Sequence, residues 1–400
     1  MGKTFFFISS SDLSRLGAAQ FRLLAIARGL TEHGAKVYWI LLASKVPDSL
    51  SLDEKYQSIT FISVGKQRAL INNSKVASYF FRLYLLISLG PVLRPLCCDS
   101  DHKALFSVGD GFLNLIVIKR LCSKETILLF HERTEYPYLN ANSPLKRLNL
   151  FLYLNIFIPQ CDHIFVISTA LREYFSTLPK VKRKNVPVSI LNMLVETDRY
   201  QKSDRTEVTS YKDVVYVGTM YGDKDGVYNL IRAFGFIMDN IPEARLILVG
   251  DDKRKALMAK VISALKSITD RNRVVFIGAI NRMDVINKIN NSYCLALARP
   301  DNIQAKYGFP TKLGEYLTTG RPVVVTAVGD IPLFLKDGDN AFIAEPDSIQ
   351  SFASKLEECL SDEAMASAIG ERGQKLVKEQ FDYLAVTKVI LLASEKGYAQ

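Results

Sequence analysis

Cysteine is scarce in this 400-residue sequence and never stands in a metal-binding pattern. The six cysteines form no C-x-x-C pair, and histidine, which occurs only four times, does not accompany them at ligand spacing. These absences argue against a zinc site and against a disulfide framework. They favour buried thiols in a reducing compartment, so we expect a cytoplasmic protein that holds no metal.

Long apolar runs are lacking as well. Residues 77–93 are interrupted by Arg82, Gly90 and Pro91, and residues 149–159 end at Pro159. Neither run provides the roughly 20 apolar residues that a membrane-spanning helix needs. We expect a buried helix in both, with a helix lying on a membrane as the alternative for 77–93. Residues 1–11 indicate a first strand rather than a signal peptide.

Several enzyme signatures are also absent. The sequence has no G-x-G-x-x-G, P-loop, G-x-S-x-G or H-E-x-x-H motif. Aromatic residues do not alternate with basic ones, which argues against nucleic-acid binding.

Positive charge, by contrast, is concentrated in one half. Residues 1–200 hold 25 Lys and Arg against 15 Asp and Glu, which accounts for the whole net charge of +10. Such a surface attracts polyanions or an anionic membrane face, unless it only keeps the protein in solution.

Short apolar runs alternate with helical patterns along the chain, which predicts an α/β protein with parallel sheets covered on both faces. The polar segment 196–212 separates two such series and is the expected linker. We therefore expect two Rossmann-like domains, 1–196 and 197–380, facing each other across a cleft, and a helix, 381–400, packing back on the first. The predicted strands are 4–9, 36–42, 60–64, 104–108, 126–131, 163–168, 189–192, 214–218, 245–250, 274–278, 294–298, 322–326 and 341–344.

The segment 299–315 begins where a predicted strand ends and finishes inside a predicted helix. Pro310 suits the first helical position, so the backbone N–H groups of Thr311, Lys312 and Leu313 would point out of the helix end. Such an end attracts anions, and Arg299 and Lys312 would add two cations. The pattern predicts a phosphate site; an ordinary loop with a surface ion pair is the alternative.

A carboxylate follows one turn later. Glu315 shares a helix face with Thr311, where it is poorly placed for a phosphate but well placed for a pair of ribose hydroxyls. The segment as a whole therefore indicates a nucleotide.

The run GFPTKLGEYLTTGRPVVVT, with Gly329-Asp-Ile-Pro and Asp337-Gly-Asp-Asn after it, resembles glycosyltransferase family 4. The resemblance implies the GT-B fold, a nucleotide diphosphate sugar as donor, retention of anomeric configuration and no metal. It implies that Glu315 binds the ribose. Where many members carry a Glu that contacts the sugar, this sequence has Tyr307, so the backbone amides of Gly308 and Phe309 are the candidates for that contact.

A glycine-rich turn at 217–226 follows a predicted strand and suits a phosphate. The family usually has an Arg just after Gly218 and a Lys just before the last glycine; here Thr219 and Asp225 stand there, with Lys224 beside them. Lys224 and Arg299 are candidates to supply the missing charges. A solvated turn without a ligand is the alternative.

Two further loops follow predicted strands in the first half. Residues 9–22 lead from the first strand into a helix, with Gly17 near the turn. Similar loops in the family reach toward the donor diphosphate; a helix entry without a ligand is the alternative. His131 lies where related enzymes place a residue facing the donor sugar, and Glu132 or Glu135 could orient the acceptor. A structural histidine with surface ion pairs is the alternative there. Asp110 is more readily explained as a turn residue.

Together with these motifs, the resemblance thus implies a retaining, metal-independent glycosyltransferase with no cofactor, acting in cell-surface polysaccharide or glycolipid synthesis. Residues 197–380 would bind the donor, and the basic residues 1–196 would receive a glycan or lipid-linked acceptor at the inner membrane face. The alternatives are a non-hydrolysing sugar-nucleotide epimerase and an inactive binding scaffold; an NAD-dependent oxidoreductase is disfavoured. The candidate catalytic residues are His131, Glu132, Glu135, Arg299 and Lys312, and the candidate donor-binding residues are Gly17, Gly218, Thr219, Lys224, Gly308, Phe309, Pro310, Thr311, Leu313 and Glu315.

Overall fold

The computed structural model describes residues 2–9, 17–41, 53–63, 96, 102–108, 127–200, 210–220, 224–250, 255–266 and 268–398. The chain divides into two compact units: Met1–Asn192 with Tyr383–Gln400, and Met193–Asp382. Asp110 and residues 77–93 lie outside the described residues, so the predictions made for them stay predictions.

The first unit is built on a seven-stranded sheet in the order β3-β2-β1-β4-β5-β6-β7. All its strand pairs are parallel. Continuous apolar runs form these strands because both faces of the sheet are covered; Phe5, Phe6 and Phe7 of β1 are all buried. The strands are β1 (Lys3–Ser9), β2 (Lys36–Leu41), β3 (Ile59–Ser63), β4 (His102–Val108), β5 (Ile127–Arg133), β6 (His163–Val166) and β7 (Val188–Ile190).

The second unit has a six-stranded sheet in the order β10-β9-β8-β11-β12-β13, again parallel throughout. The expected α/β class is confirmed, and every predicted strand lies within two residues of an observed one. The strands are β8 (Lys212–Val217), β9 (Ala244–Val249), β10 (Val274–Gly278), β11 (Cys294–Leu297), β12 (Val323–Thr326) and β13 (Phe342–Ala344).

Helices connect the strands of both units. In the first, the described helices are α1 (Ala18–Glu32), α2 (Pro144–Leu152), α3 (Thr169–Thr177) and α4 (Pro179–Lys184). In the second they are α5 (Val227–Ile237), α6 (Lys255–Leu265), α7 (Arg282–Asn290), α8 (Ile303–Tyr307), α9 (Thr311–Thr318), α10 (Ile331–Phe334), α11 (Ile349–Ser361) and α12 (Glu363–Gln380).

The last helix, α13 (Tyr383–Tyr398), returns to the first unit. Its Tyr383 donates a hydrogen bond to Glu32 at 2.7 Å and lies under the guanidinium of Arg28 at 4.6 Å. Gly29 lets the two helices approach closely, since a Cβ there would lie 2.5 Å from Thr387 Oγ1. The chain ends therefore belong to one folding unit.

Residues 149–159 form only partly the buried helix expected for them. Helix α2 ends at Leu152, and a π-helical turn, Tyr153–Phe157, follows. Leu150 and Phe157 are buried, but Phe151 and Ile156 are exposed. Among the described residues, no helix is both long and apolar enough to cross a membrane.

Candidate functional site

The N-terminus of α9 lies beyond the carboxyl end of β11, as the sequence predicts for an anion site. Pro310, however, is the N-cap and not the first helical residue. Its carbonyl accepts a hydrogen bond from the N–H of Leu313 at 3.0 Å. Leu313 is therefore not a free donor, which corrects that prediction; the N–H groups of Thr311 and Lys312 are the ones at this end without an intrahelical acceptor.

The side chain of Lys312 lies in a charged cluster. Its Nζ is 2.5 Å from Oδ2 of Asp225 and 3.4 Å from the hydroxyl of Tyr216. The Tyr216 hydroxyl donates to the same carboxylate oxygen at 3.0 Å. Asp225 is buried, whereas the Lys312 side chain is 20% exposed. The carboxylate therefore holds the ammonium in place from the protein side.

Arg299 completes this cluster from behind. It is buried, its Nε donates to the carbonyl of Lys224 at 3.1 Å, and the same nitrogen lies 3.9 Å from Oδ1 of Asp225. Direct contact with a ligand, which the sequence predicts, is thus excluded in this arrangement. Its buried Nη1 has no hydrogen-bond partner among the described residues, so Arg299 acts here as a source of positive potential.

Opposing effects determine the charges in this cluster. Burial lowers the pKa of the Lys312 ammonium, and the Asp225 carboxylate opposes that shift. Burial alone would raise the pKa of Asp225, but Lys312, Arg299 and Lys224 together hold it below its usual value. Burial and the Asp225 charge raise the pKa of the Tyr216 phenol well above its usual value. At neutral pH the cluster therefore holds two buried or half-buried cations around one anion.

Two glycines make this packing possible. Gly218 lies so close to α9 that a Cβ there would be 2.1 Å from Lys312 Nζ. Gly226 has a φ of +69°, and a Cβ there would be 1.7 Å from the carbonyl oxygen of Ala298. The glycine-rich turn therefore serves the approach of β8 to β11 and α9. Thr219 and Lys224 are exposed on the same turn and stay candidates for donor contacts.

Glu315 lies one turn into α9, and its side chain is 33% exposed. Its Oε1 is 3.8 Å from a guanidinium nitrogen of Arg282. The phenol of Tyr200 donates a hydrogen bond to the Glu315 carboxylate. Burial is the main cause that raises the pKa of this phenol well above its usual value, and the Glu315 charge is the second. The carboxylate is thus held on one side and open on the other, which suits a pair of hydroxyls.

The segment before α9 is less available than the sequence predicts. Gly308 donates its N–H to the carbonyl of Gln304 at 3.1 Å, which closes the last turn of α8. The amide of Gly308 is therefore already used, and that prediction is wrong. Phe309 is buried and packs on Phe334 and Phe381, with ring centroids 5.8 and 6.0 Å apart.

His131 lies inside the first unit and exposes no surface that could contact a ligand. It is fully buried, its Nδ1 is 3.2 Å from Ser107 Oγ, and its Nε2 is 2.7 Å from Tyr153 Oη. Burial, with the nearby Arg133 charge, lowers its pKa to about 3, so the ring is neutral. The catalytic interpretation is wrong, and the structural alternative describes this residue.

Glu132 is equally inaccessible. Its carboxylate accepts a hydrogen bond from Arg22 at 2.8 Å, and both side chains are buried. Arg22 also donates to the carbonyls of Leu191 and Asn192, at 2.8 and 2.9 Å. The pair therefore ties α1 to β5 and to the residues that follow β7, and Glu132 cannot orient an acceptor.

Two predicted residues of the first unit are accessible. Glu135 is half-buried, and its carbonyl accepts from Arg133 at 2.9 Å. Gly17 is the exposed N-cap of α1, with its N–H bonded to Gln20 at 3.0 Å. Both stay predictions.

Four partners of this site were missed in the sequence: Asp225 as a partner of Lys312, and Tyr216, Tyr200 and Arg282. For Tyr216 a signal exists, because a hydroxyl in a strand that is otherwise apolar needs a polar partner. Within the part of the chain that the structure describes, no group of three His, Cys, Asp or Glu residues could hold a metal ion.

Comparison with known proteins finds a family match within the second unit. The family described as "Glycosyl transferases group 1" matches residues 211–362, which include the glycine-rich turn and α9. The N-acetyl-alpha-D-glucosaminyl L-malate synthase of Bacillus anthracis is 23% identical over 89% of this chain and 88% of its own length. The capsular polysaccharide biosynthesis glycosyltransferase CapM of Staphylococcus aureus is 26% identical over 42% of this chain and 41% of its own.

Solved structures agree on the fold. The Anabaena protein Alr3699/HepE in complex with UDP-glucose superimposes with a TM-score of 0.72 at 15% identity. The superposition covers 98% of this chain and 99% of HepE. At this identity the likeness shows the fold alone.

Proposed function

We propose that the chain is a group 1 glycosyltransferase of the GT-B fold, which moves a sugar from a nucleotide diphosphate sugar to an acceptor hydroxyl with retention of configuration. The observation that carries the proposal is the start of α9. There the N–H groups of Thr311 and Lys312, the Lys312 ammonium and the open side of Glu315 lie within one helical turn.

The proposed chemistry needs little beyond stabilisation of a leaving group. As the bond between sugar and diphosphate breaks, negative charge grows on the diphosphate. Dipoles and cations that are already in place stabilise such charge most effectively, because they need no reorganisation during the reaction. In this proposal Lys312 and the helix end receive the diphosphate, the exposed Lys224 adds a second cation, and no metal is required.

Glu315 is proposed to recognise the nucleoside. A half-exposed carboxylate with Tyr200 and Arg282 on its protein side has lone pairs left for two hydroxyls. The HepE structures with UDP and UDP-glucose make a UDP-sugar the first donor to test.

The acceptor and its setting are proposed on weaker support. The similarity to CapM supports a glycan or lipid-linked acceptor in cell-surface polysaccharide synthesis. The first unit, with Glu135 accessible, is the proposed acceptor-binding part. Cys161, Cys294 and Cys359 are buried free thiols, which supports a reducing, cytoplasmic setting.

Thermal unfolding with a panel of UDP-, GDP-, ADP- and CMP-sugars tests the proposal, because a ligand that binds only the folded state raises its melting temperature. One class of nucleotide is expected to stabilise the protein, and its labelled sugar is expected to appear on an acceptor with the donor's anomeric configuration. If no nucleotide sugar raises the melting temperature, the protein does not bind a donor and the inactive scaffold is the better interpretation. A rearranged donor in the absence of acceptor would identify an epimerase instead.

A further inference from the structure

Helix α2 and the residues around it expose an unusual amount of apolar surface. Of the fifteen large apolar side chains that are exposed among the described residues, six fall within 138–156. Scattered exposed leucines need no explanation, but a cluster of this kind marks an interaction surface. We define the α2 patch as these six residues with their exposed fractions: Tyr138 (52%), Leu139 (37%), Leu145 (69%), Leu148 (54%), Phe151 (59%) and Ile156 (44%).

The apolar side of α2 faces away from the protein. Leu145, Leu148 and Phe151 recur every third residue, which places them on one side of the helix. Leu150, the buried residue of α2, lies on the other side, and Tyr153 and Leu154 continue that buried side. An ordinary surface helix shows polar residues to solvent, so α2 is reversed in this respect.

The α2 patch stands on a rigid base. Ser143 caps α2 by accepting a hydrogen bond from the N–H of Lys146. At the other end, Tyr153 shares a hydrogen bond with the buried His131, and the guanidinium of Arg133 lies 5.5 Å from the Tyr153 ring centroid. The backbone that carries the outward side chains is therefore held at both ends, which lowers the entropic cost of docking.

Cations flank the α2 patch at both ends. Lys146 and Arg147 are exposed on α2 itself, and residues 138–160 contain no carboxylate. The basic helix α4 lies at the other end, tied to the π-helical turn by a 2.8 Å hydrogen bond from Lys180 to the carbonyl of Asn155. Three more cations of α4 are exposed: Lys182, Arg183 and Lys184.

An apolar ridge between two groups of cations fits an anionic lipid surface. The apolar side chains can enter the boundary between headgroups and acyl chains while the cations contact the phosphates. A second copy of this chain fits poorly, because a twofold contact through the patch would bring the same cations together. We propose that the α2 patch, with the cations of α4, docks the first unit onto an anionic membrane. This surface is independent of the proposed donor site.

Vesicle co-sedimentation of the full chain tests the proposal. The probes are vesicles of phosphatidylcholine alone and of phosphatidylcholine with about one third phosphatidylglycerol, at low and high salt. The wild type is expected to bind the anionic vesicles, to bind the neutral ones at least ~tenfold more weakly, and to lose binding as salt rises.

Two sets of substitutions separate the apolar and the charged contributions. The triple variant Leu145→Ser, Leu148→Ser, Phe151→Ser is expected to bind anionic vesicles at least ~tenfold more weakly, because three apolar insertions are lost. The variant Lys182→Gln, Arg183→Gln, Lys184→Gln is expected to lose ~tenfold or more in binding and most of the salt dependence.

A matched control lies in the second unit. Phe236, Met283 and Leu333 are 54, 65 and 64% exposed, so their replacement by Ser removes a similar exposed area without touching the α2 patch. This control is expected to bind vesicles like the wild type. Because the replaced side chains point into solvent, melting temperatures of both triple variants should stay close to that of the wild type.

Three results would overturn the proposal. One is equal binding by the wild type and the α2 triple variant. Another is absence of wild-type binding to anionic vesicles. The third is a wild-type dimer that the α2 triple variant converts to a monomer, which would assign the patch to a second copy.

Discussion

The ammonium of Lys312 lies 2.5 Å from a carboxylate oxygen of the buried Asp225, so the principal cation of the candidate donor site is one half of an ion pair. A diphosphate that binds at the start of α9 meets a cation whose position is already set. It also shares that cation with a fixed internal anion. Both effects can be measured separately.

Asp225→Asn should reduce the free energy of unfolding at pH 7 by ~3 kcal/mol, because Lys312 and Arg299 would lose their shared counter-charge. The pKa of Asp225 is lowered in the folded protein. Its stabilising contribution is therefore present above the unfolded value of 3.8 and is lost as the pH falls through the folded value. Urea unfolding of both proteins at pH 7 and at a series of pH values below 3.8 should show the largest difference at pH 7 and a shrinking one as the pH falls. An equal difference at every pH would contradict it.

Lys312→Met should weaken binding of the stabilising nucleotide by roughly ten- to a hundredfold, because a charge-assisted hydrogen bond is removed. Isothermal titration measures this. Lys355→Met is the control, since Lys355 is similarly exposed and also pairs with carboxylates, Asp337 and Glu358. The double variant with Asp225→Asn corrects for the anion left behind. Unchanged affinity in Lys312→Met would refute the diphosphate site.

Glu315→Gln should weaken binding of the nucleoside diphosphate by about tenfold and leave inorganic pyrophosphate unaffected, because the carboxylate is proposed to bind hydroxyls and not phosphate. Competition binding assays give the affinities of the nucleoside diphosphate and of pyrophosphate for the wild type and the variant. Glu357→Gln is the control. Glu357 is also half-buried, and its carboxylate accepts a hydrogen bond from the side-chain amide of Asn240. An equal loss for pyrophosphate would place Glu315 elsewhere in the site.

His131→Gln should change the pH dependence of stability and not the reaction. The folded pKa of His131 is about 3 against an ordinary 6.5, so below pH 6.5 only the unfolded chain takes up the proton. Stability is lost as the pH falls through that window, by about 2 kcal/mol between pH 7 and pH 5. Urea titrations should show a loss that is about 2 kcal/mol smaller in the variant. The loss that remains comes from His163, whose pKa is lowered to about 4 by burial and by the Lys396 charge. The folded variant should keep the turnover rate of the wild type. A turnover rate lower by about 10²-fold or more would show that His131 has a catalytic role.

Gly226→Ala and Gly338→Ala compare the same backbone conformation in different surroundings. Their φ values are +69° and +70°, but an added Cβ meets the Ala298 carbonyl at 1.7 Å in the first and nothing within 4 Å in the second. We expect Gly338→Ala to cost about 1 kcal/mol of unfolding free energy and Gly226→Ala about 3 kcal/mol or more. Similar costs would show that the turn relaxes without affecting the site.

The fold was largely predictable because strands buried on both faces must be continuous apolar runs. The run from Val214 to Val217 is recognisable without any knowledge of its neighbours. The start of α9 was predictable for a similar local reason, since Gly308, Pro310 and the apolar spacing after them mark a helix entry. The error of one position at Pro310 reflects the small difference between an N-cap and a first helical residue.

The side chains of the site were less predictable. His131 and Glu315 both carry ionisable groups, yet one is buried against Tyr153 and Ser107 and the other is half-open. Their exposure depends on elements far away in the sequence.

By itself, the sequence determined the order of strands and helices, the two parallel α/β units and the position of the helix end that is proposed to bind an anion. These follow from local periodicity, glycine and proline, which act within a few residues. Only the tertiary structure decided which charges meet: Asp225 with Lys312 across 87 residues, and Arg22 with Glu132 across 110. Burial removes water from such groups, so each must find its partner through packing, and spacing along the chain does not encode that choice.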